Sequence, residues 1–346
     1  MSQTAKGVST ASQITTYAAL QLDSQYRTHV FSVLIVGEYA RLIRWDRSGA
    51  IVTAPIYYQR DPALMEFFTR YDRAERAVRG HDDSVRKATS PETLKATSAD
   101  KRFHIDQELL VVTVPSHGPE SKCGEYIIKP PVARPYTPPG RATRTSIAYD
   151  IQRDCIVFFK DSWRVACNGI LKEGDVYAIL NSKNVRNIPR CSASGDVRKD
   201  TYHSTYTSHY ADATWELKST LEFTPHRHHR LILDAIGDKL ETFRCSKDMV
   251  RAVLAALNGV YPGLSTFVDC QPTILAHKDA YWKCNTLHRD MSPSNILWTD
   301  CPDFEGGLLI DWDLCKIADP DDPLGGGARQ PTRAVCYSDS STWHIS

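Results

Sequence analysis

Residues 287–316 read LHRDMSPSNILWTDCPDFEGGLLIDWDLCK, and the spacing of their polar groups decides how the rest of the chain is read. Asp290 follows His288 and Arg289, and Asn295 comes five positions later. A carboxylate so placed accepts the proton of an incoming hydroxyl, while a neutral amide oxygen suits a hard cation such as Mg²⁺. The run Ile296 to Trp298, the turn-like TDCPDFEGG and the run LLIDWD predict a β-hairpin. That hairpin folds Asp311 back toward Asn295, so two metal ligands converge.

His-Arg-Asp with Asn five residues on is the spacing of a kinase catalytic loop. In that reading Asp311 holds Mg²⁺ across the phosphates of ATP, although Trp312 and Asp313 follow it in place of Phe and Gly. The same chemistry needs a cation for the phosphates, carried upstream on a strand. CIVFFKDSWR is apolar, β-branched and aromatic from Ile156 to Phe159, which predicts a buried strand with Lys160 at its exit. A helix is expected over Lys172 to Leu180, carrying Glu173 to orient the Lys160 ammonium. The phosphate-covering glycine loop is poorly visible, with Gly140 in PPGRATR its one candidate.

Outward from these residues, a polar tail runs to about Asp23, and FSVLIVGEYARLIRWDRSGAIVT alternates as antiparallel strands with a turn at Asp46 to Gly49. ALMEFFTRYDRAERAV has helical spacing, and the polar stretch after it, ending near Lys101, reads as an exposed loop. IDQELLVVTV and EYIIKPPV are strand-like, and the prolines of PPVARPYTPPGRATR exclude regular structure. Pro189 to Ser208 reads as an irregular surface connection, RLILDAIG as a strand, and KDMVRAVLAALNG as a helix with Gly259 at its C-cap. His226, His228 and His229 lie in a basic, exposed-looking run with no Cys or acidic ligand at useful spacing, so no metal site is read there. Cys315 reads as a small residue packing behind its strand, with a reactive thiol the lesser alternative.

Together these residues resemble the fungal-type protein kinase family. FSVLIVGEYARLIRWDRSGAIVT looks like its N-terminal strand pair, FKDSWR like its lysine strand, and TPHRHHRLILDAIGDKLETF like the approach to its hinge. HRDMSPSNIL and GLLIDWDLCK carry the most specific likeness, which covers roughly residues 25 to 316. The resemblance implies an α+β, bilobal protein-kinase-like fold, with a β-rich N-lobe holding one main helix to about residue 236 and a partial helical C-lobe beyond. It implies ATP and Mg²⁺, with Asp290, Arg289 and His288 as catalytic positions, Lys160, Glu173, Asn295 and Asp311 at the nucleotide, and Asn295 and Asp311 on the metal. Residues 259–275 do not look like the family and read as an insertion. After Lys316 the family continues into an activation segment and further helices, whereas residues 317–346 diverge, so the expectation is an incomplete helical lobe and a disordered tail with feeble transfer.

The chain has 346 residues, with 42 basic and 41 acidic side chains and a formal charge of +1, so no overall field favours nucleic acid or an anionic membrane. The first twenty residues lack a secretory core, no stretch is apolar for a bilayer's width, and a soluble intracellular protein is expected. Ten cysteines without paired short spacings read as free thiols. Three functions fit the whole: phosphoryl transfer to a protein Ser or Thr, transfer to a small molecule as in aminoglycoside and choline kinases, and a nucleotide-binding pseudokinase fragment without turnover. The first leads; Ser292, where Ser/Thr kinases usually place lysine, and the Asp311-Trp312-Asp313 triplet keep the second open, and the incomplete helical lobe favours the third over a working enzyme.

Overall fold

The computed structural model describes residues 5–116, 123–132, 138–167, 169–198, 201, 203–214, 223–257, 276–301, 304 and 306–317. The stretch read as a polar tail forms a helix, α1 (Ala5–Ser24). Its buried Ala11, Ile14, Ala18 and Leu22 recur every three or four residues, a stripe too narrow to stand out among the Ser and Thr around it. Ile14, Ala18 and Leu22 pack on Val30, Ile43 and Trp45 of β1 (Val30–Val36) and β2 (Tyr39–Trp45).

These two strands pair antiparallel around Gly37, which takes φ +58°. The predicted turn at Asp46 to Gly49 leads to β3 (Ala50–Val52), and β4 (Ile56–Tyr57) joins the other end of β2. The expected second helix, α2 (Ala63–Arg73), covers the opposite face, with Leu64 against Ala40 and Ile56 and with Phe67 and Tyr71 edge-on to Phe31. Period-two alternation along β1 and β2 thus serves a helix on each side.

The polar stretch to Lys101 is not an exposed loop: it holds β5 (Val85–Lys87) and α3 (Ser90–Ala99). Thr89 and Glu92 satisfy each other's backbone N–H in a capping box that starts α3. At the turn before β5, Gly80 takes φ +89° and a Cβ there would run into the His29 carbonyl, so only glycine passes.

The central feature is a seven-stranded sheet built from β5, β6 (Leu110–Val114), β7 (Gly124–Ile128), β8 (Arg144–Asp150), β9 (Cys155–Val165), β10 (Cys191–Asp196) and β11 (His226–Leu233). Its order is β10-β11-β9-β8-β7-β6-β5, antiparallel throughout. Val157, Phe159 and Ile232 face one apolar cluster, whereas Phe158, Leu231 and Leu233 face the other, under α4 (Glu173–Ser182). Helices α2 and α4 are the two that the sequence predicts in this part of the chain, and α1 and α3 come in addition. Three local expectations change here. Lys160 sits in mid-strand between Thr145 and Leu231, not at an exit. Pro189 to Ser208 contains β10, whose small Ser, Ala and Gly residues gave no apolar signal. The histidine run is buried in β11 and not exposed, because distant acids meet its charges: His228 reaches Asp161 at 2.8 Å, His229 reaches Asp196 at 3.0 Å, and Arg230 lies 2.7 Å from Asp82.

Beyond Asp234 come β12 (Asp238–Lys239), α5 (Ser246–Leu257), α6 (Ala276–Cys284), β13 (Thr286–Leu287), β14 (Ile296–Trp298), β15 (Gly307–Leu309) and β16 (Lys316–Ile317). The second predicted hairpin is β14–β15, with Ile296 opposite Leu309, and α5 and α6 pack against it. Leu231, Leu233, Val176, Leu180, Ala252, Ala280, Ile296 and Trp312 close one core across both parts of the chain. Residues 259–275, read as an insertion, Gly259 as a cap, and the tail from 318 lie outside the described residues. No helix among the described residues is long and apolar enough to cross a membrane. The eight described cysteines are free, as expected.

Candidate functional site

Strand β9 carries Lys160 on the face of Phe158, toward α4, and α4 begins at Glu173. An acidic residue in a helix's first turn also favours the helix dipole. The two side chains meet with Lys160 Nζ 2.6 Å from Glu173 Oε2, both about 5 % exposed. The same ammonium lies 2.8 Å from Asp311 Oδ1 and 3.5 Å from Asp313 Oδ2. Burial alone would lower the Lys160 pKa, but the carboxylates of Glu173 and Asp311 overcome it and hold the ammonium above its ordinary range. Burial pushes Asp311 the other way from its net shift, which is downward because Lys160 stands against it. Both groups are charged at neutral pH.

Asp311 arrives there through the β14–β15 hairpin. The Ile310 N–H donates to the Asn295 carbonyl at 3.0 Å, which sets the two candidate metal residues on neighbouring backbone. Asp311 itself takes the left-handed conformation, φ 68° and ψ 62°, and Arg289 in the facing loop has φ 68°. Such backbone is strained for side chains of this size and persists where its surroundings hold it. Asn295 Nδ2 donates to the Asp290 carbonyl at 2.9 Å, leaving Oδ1 as the end of the amide not used in that bond.

His288 ties these segments together. The Asp290 N–H donates to His288 Nδ1 at 3.3 Å, so that nitrogen is the acceptor, and Nε2–H then donates to the Ile310 carbonyl at 2.9 Å. The ring is fully buried, meets Trp312 edge-on at 4.6 Å, and burial lowers its pKa, all of which fits a neutral imidazole. Trp312 is also fully buried and donates to the Leu309 carbonyl at 3.3 Å. His288 has the contacts of a residue that positions Asp290 and Asp311.

Carboxylate oxygens of Glu173, Asp311 and Asp313 converge here, one from each within 4.8 Å of the others. Glu173 Oε1 is buried without a hydrogen-bond partner, so the pocket retains acceptor capacity. A set of carboxylates with a spare oxygen fits a hard divalent cation. Asn295 joins this group through its backbone, and Asp290 through its bonds to Asn295 and His288. Asp313 enters the sequence analysis only through its triplet with Asp311 and Trp312 and not as a candidate metal residue, though its place two residues after Asp311 is the available signal. It also missed Arg141, whose guanidinium contacts Asp313. Arg141 directly follows Gly140, which takes φ +120° in the connection from β7 to β8, and the Trp163 N–H bonds to the Arg141 carbonyl at 2.7 Å. That proline-rich connection ends beside the lysine strand, and its described part has no regular structure, as expected. Cys315 packs against the core, and burial pushes its thiol up to about 12, so it stays protonated.

Lysine on an interior strand, glutamate on the helix above it, an HRD loop and an aspartate after a hairpin follow the order and spacing of a kinase site. The chain belongs to the fungal protein kinase family, whose model matches residues 1–335. A search among curated proteins finds no match. Family membership suggests kinase-type phosphotransfer and implies ATP and a divalent metal as its cofactors.

Proposed function

We propose that this protein transfers the γ-phosphoryl group of ATP to a Ser or Thr hydroxyl of a protein. The observation that carries the reading is the single ammonium of Lys160 held at 2.6 Å from Glu173 and 2.8 Å from Asp311. In protein kinases a lysine so held meets the phosphates of ATP. Asp290 accepts the acceptor's proton as its oxygen bonds to phosphorus, the bridge to the β-phosphate breaks, and ADP departs. His288 keeps Asp290 and Asp311 in register through its two ring nitrogens. Mg²⁺ supplies charge neutralisation on the phosphates, and Asp311 and Asn295, joined by Asp313, are the residues that would hold it.

A small-molecule acceptor is the second reading. Ser292, two residues after Asp290, spends its hydroxyl on Ser294 at 2.8 Å, and no lysine stands at that position. Transfer from γ-labelled ATP to a mixture of Ser/Thr peptides, compared with aminoglycoside and choline acceptors, separates the two. Peptide labelling that is lost in Asp290→Asn supports the proposal. Labelling confined to the small acceptors replaces it with the second reading, and labelling unchanged by Asp290→Asn removes the assigned base.

A further inference from the structure

On the opposite face of the sheet from Lys160, a second group of ligand-type side chains has no place in phosphoryl transfer. Asp82 lies in the turn before β5, His228 in β11, and His203 in the segment that runs beside β11, where the His228 N–H donates to the His203 carbonyl at 2.9 Å. One ligand atom from each lies within 4.8 Å of the other two.

The protons decide what these atoms are. His228 Nε2 is 2.8 Å from the Asp161 carboxylate, which takes that nitrogen's hydrogen bond and leaves Nδ1 as the ring atom that a cation would bind. Trp163 stacks on that ring at 4.9 Å and fixes its plane. His228 Nδ1 faces His203 Nδ1 at 3.5 Å and Asp82 Oδ2 at 3.8 Å, and His203 Nδ1 is 3.8 Å from Asp82 Oδ1. These separations are too long for good hydrogen bonds. The His228–His203 separation is close to the ~3.4 Å edge of a tetrahedron whose bonds are ~2.05 Å, the length of a zinc–imidazole bond, and Asp82 turns one oxygen toward each ring. The Asp161–His228 pair is the carboxylate–histidine arrangement that orients a metal ligand from behind. Arg230, bonded to Asp82 at 2.7 Å and Asp161 at 2.8 Å, holds both carboxylates in place.

We propose that Asp82, His203 and His228 form a binding site for a divalent cation of the zinc type. Two imidazoles and one carboxylate suit zinc and not Mg²⁺, which takes oxygen ligands. Asp82 also lines a surface cleft with Glu75, Arg76, Arg79 and Asp83, and a water completes the cation's coordination as fourth ligand. The bound ion joins the turn after α2 to the histidine strand of the central sheet, and so acts as a structural clamp.

The test uses the full chain, assayed for metal by plasma mass spectrometry and then titrated with Zn²⁺ and with Co²⁺ after chelation. Expected are about one zinc per chain, a melting temperature that falls on chelation and recovers with Zn²⁺, and the visible bands of four-coordinate Co²⁺. His203→Gln, at a side chain 15 % exposed, loses the metal and the chelator response. Asp311→Ala retains both, which separates this site from the carboxylates around Lys160. No stoichiometric zinc together with no Zn²⁺-dependent shift in the wild type overturns the proposal, and so does wild-type metal binding by His203→Gln. Should His203→Gln fail to fold, the wild-type chelation result decides alone.

Discussion

Lys160 and Glu173, thirteen residues apart in sequence, form a buried ion pair of 2.6 Å that joins an interior strand of the sheet to the first residue of the helix above it. Glu173 is not tolerable alone at this burial, because an unpaired charge in such a place keeps its desolvation cost without compensation.

Lys160→Met therefore destabilises the fold by about 3–5 kcal/mol, the usual consequence of stranding a buried partner. Lys160→Arg retains the charge and costs less. Urea unfolding of the two variants checks the order, and equal stability of Lys160→Met and wild type would mean that the pair is not buried as described.

Trp312 occupies the position where most kinases carry phenylalanine, and two contacts hold it: the edge of His288 at 4.6 Å and the Leu309 carbonyl at 3.3 Å. Trp312→Phe keeps an aromatic ring against His288 and loses the hydrogen bond, at about 1 kcal/mol. Trp312→Ala empties the site and costs about 3–5 kcal/mol. Thermal unfolding of the two variants separates the contributions.

Acid sensitivity follows from the histidine strand. Burial lowers the His226 pKa from 6.5 to about 4, and His29 shifts likewise to about 4. Between these values the unfolded chain takes up protons that the folded chain refuses, so stability present above pH 6.5 is lost as pH falls toward 4. His226 alone contributes roughly 3 kcal/mol to that slope. The melting temperature is expected to drop from pH 7 to pH 4.5, and His226→Gln to flatten the decline. A profile level across this range would contradict the assignment.

Much of this was legible where the signal is local. Alternation in β1 and β2, the apolar run of β9, the face of α5 and the hairpin that returns Asp311 to Asn295 all follow from short-range pattern. The capping box of Thr89 and Glu92 was equally local and went unread inside a polar stretch. What sequence does not display is compensation at long range. His228, Arg230 and Asp161 look like surface charge in one dimension, yet Arg230 meets Asp82 across 148 residues and Asp161 across 69, and so all three are buried. Helix α1 escaped for a related reason: its stripe of Ala11, Ile14, Ala18 and Leu22 becomes apolar enough only against Ile43 and Trp45. At the site, Lys160, Glu173 and Asp311 were chosen by type and spacing and do meet, whereas Arg141 reaches Asp313 only through the folding of the β7–β8 connection.

The central claim is that Lys160, Glu173 and Asp311 form one site for a nucleotide and its metal. It is tested most directly by the melting temperature of the purified protein with ATP and Mg²⁺, measured for the wild type and for Asp311→Ala. A ligand that binds only the folded state at 100 times its Kd stabilises it by about 2.7 kcal/mol. The account predicts a rise of several degrees with ATP and Mg²⁺ together, little with either alone, and its loss in Asp311→Ala. An equal rise in Asp311→Ala, or none in the wild type, would contradict it.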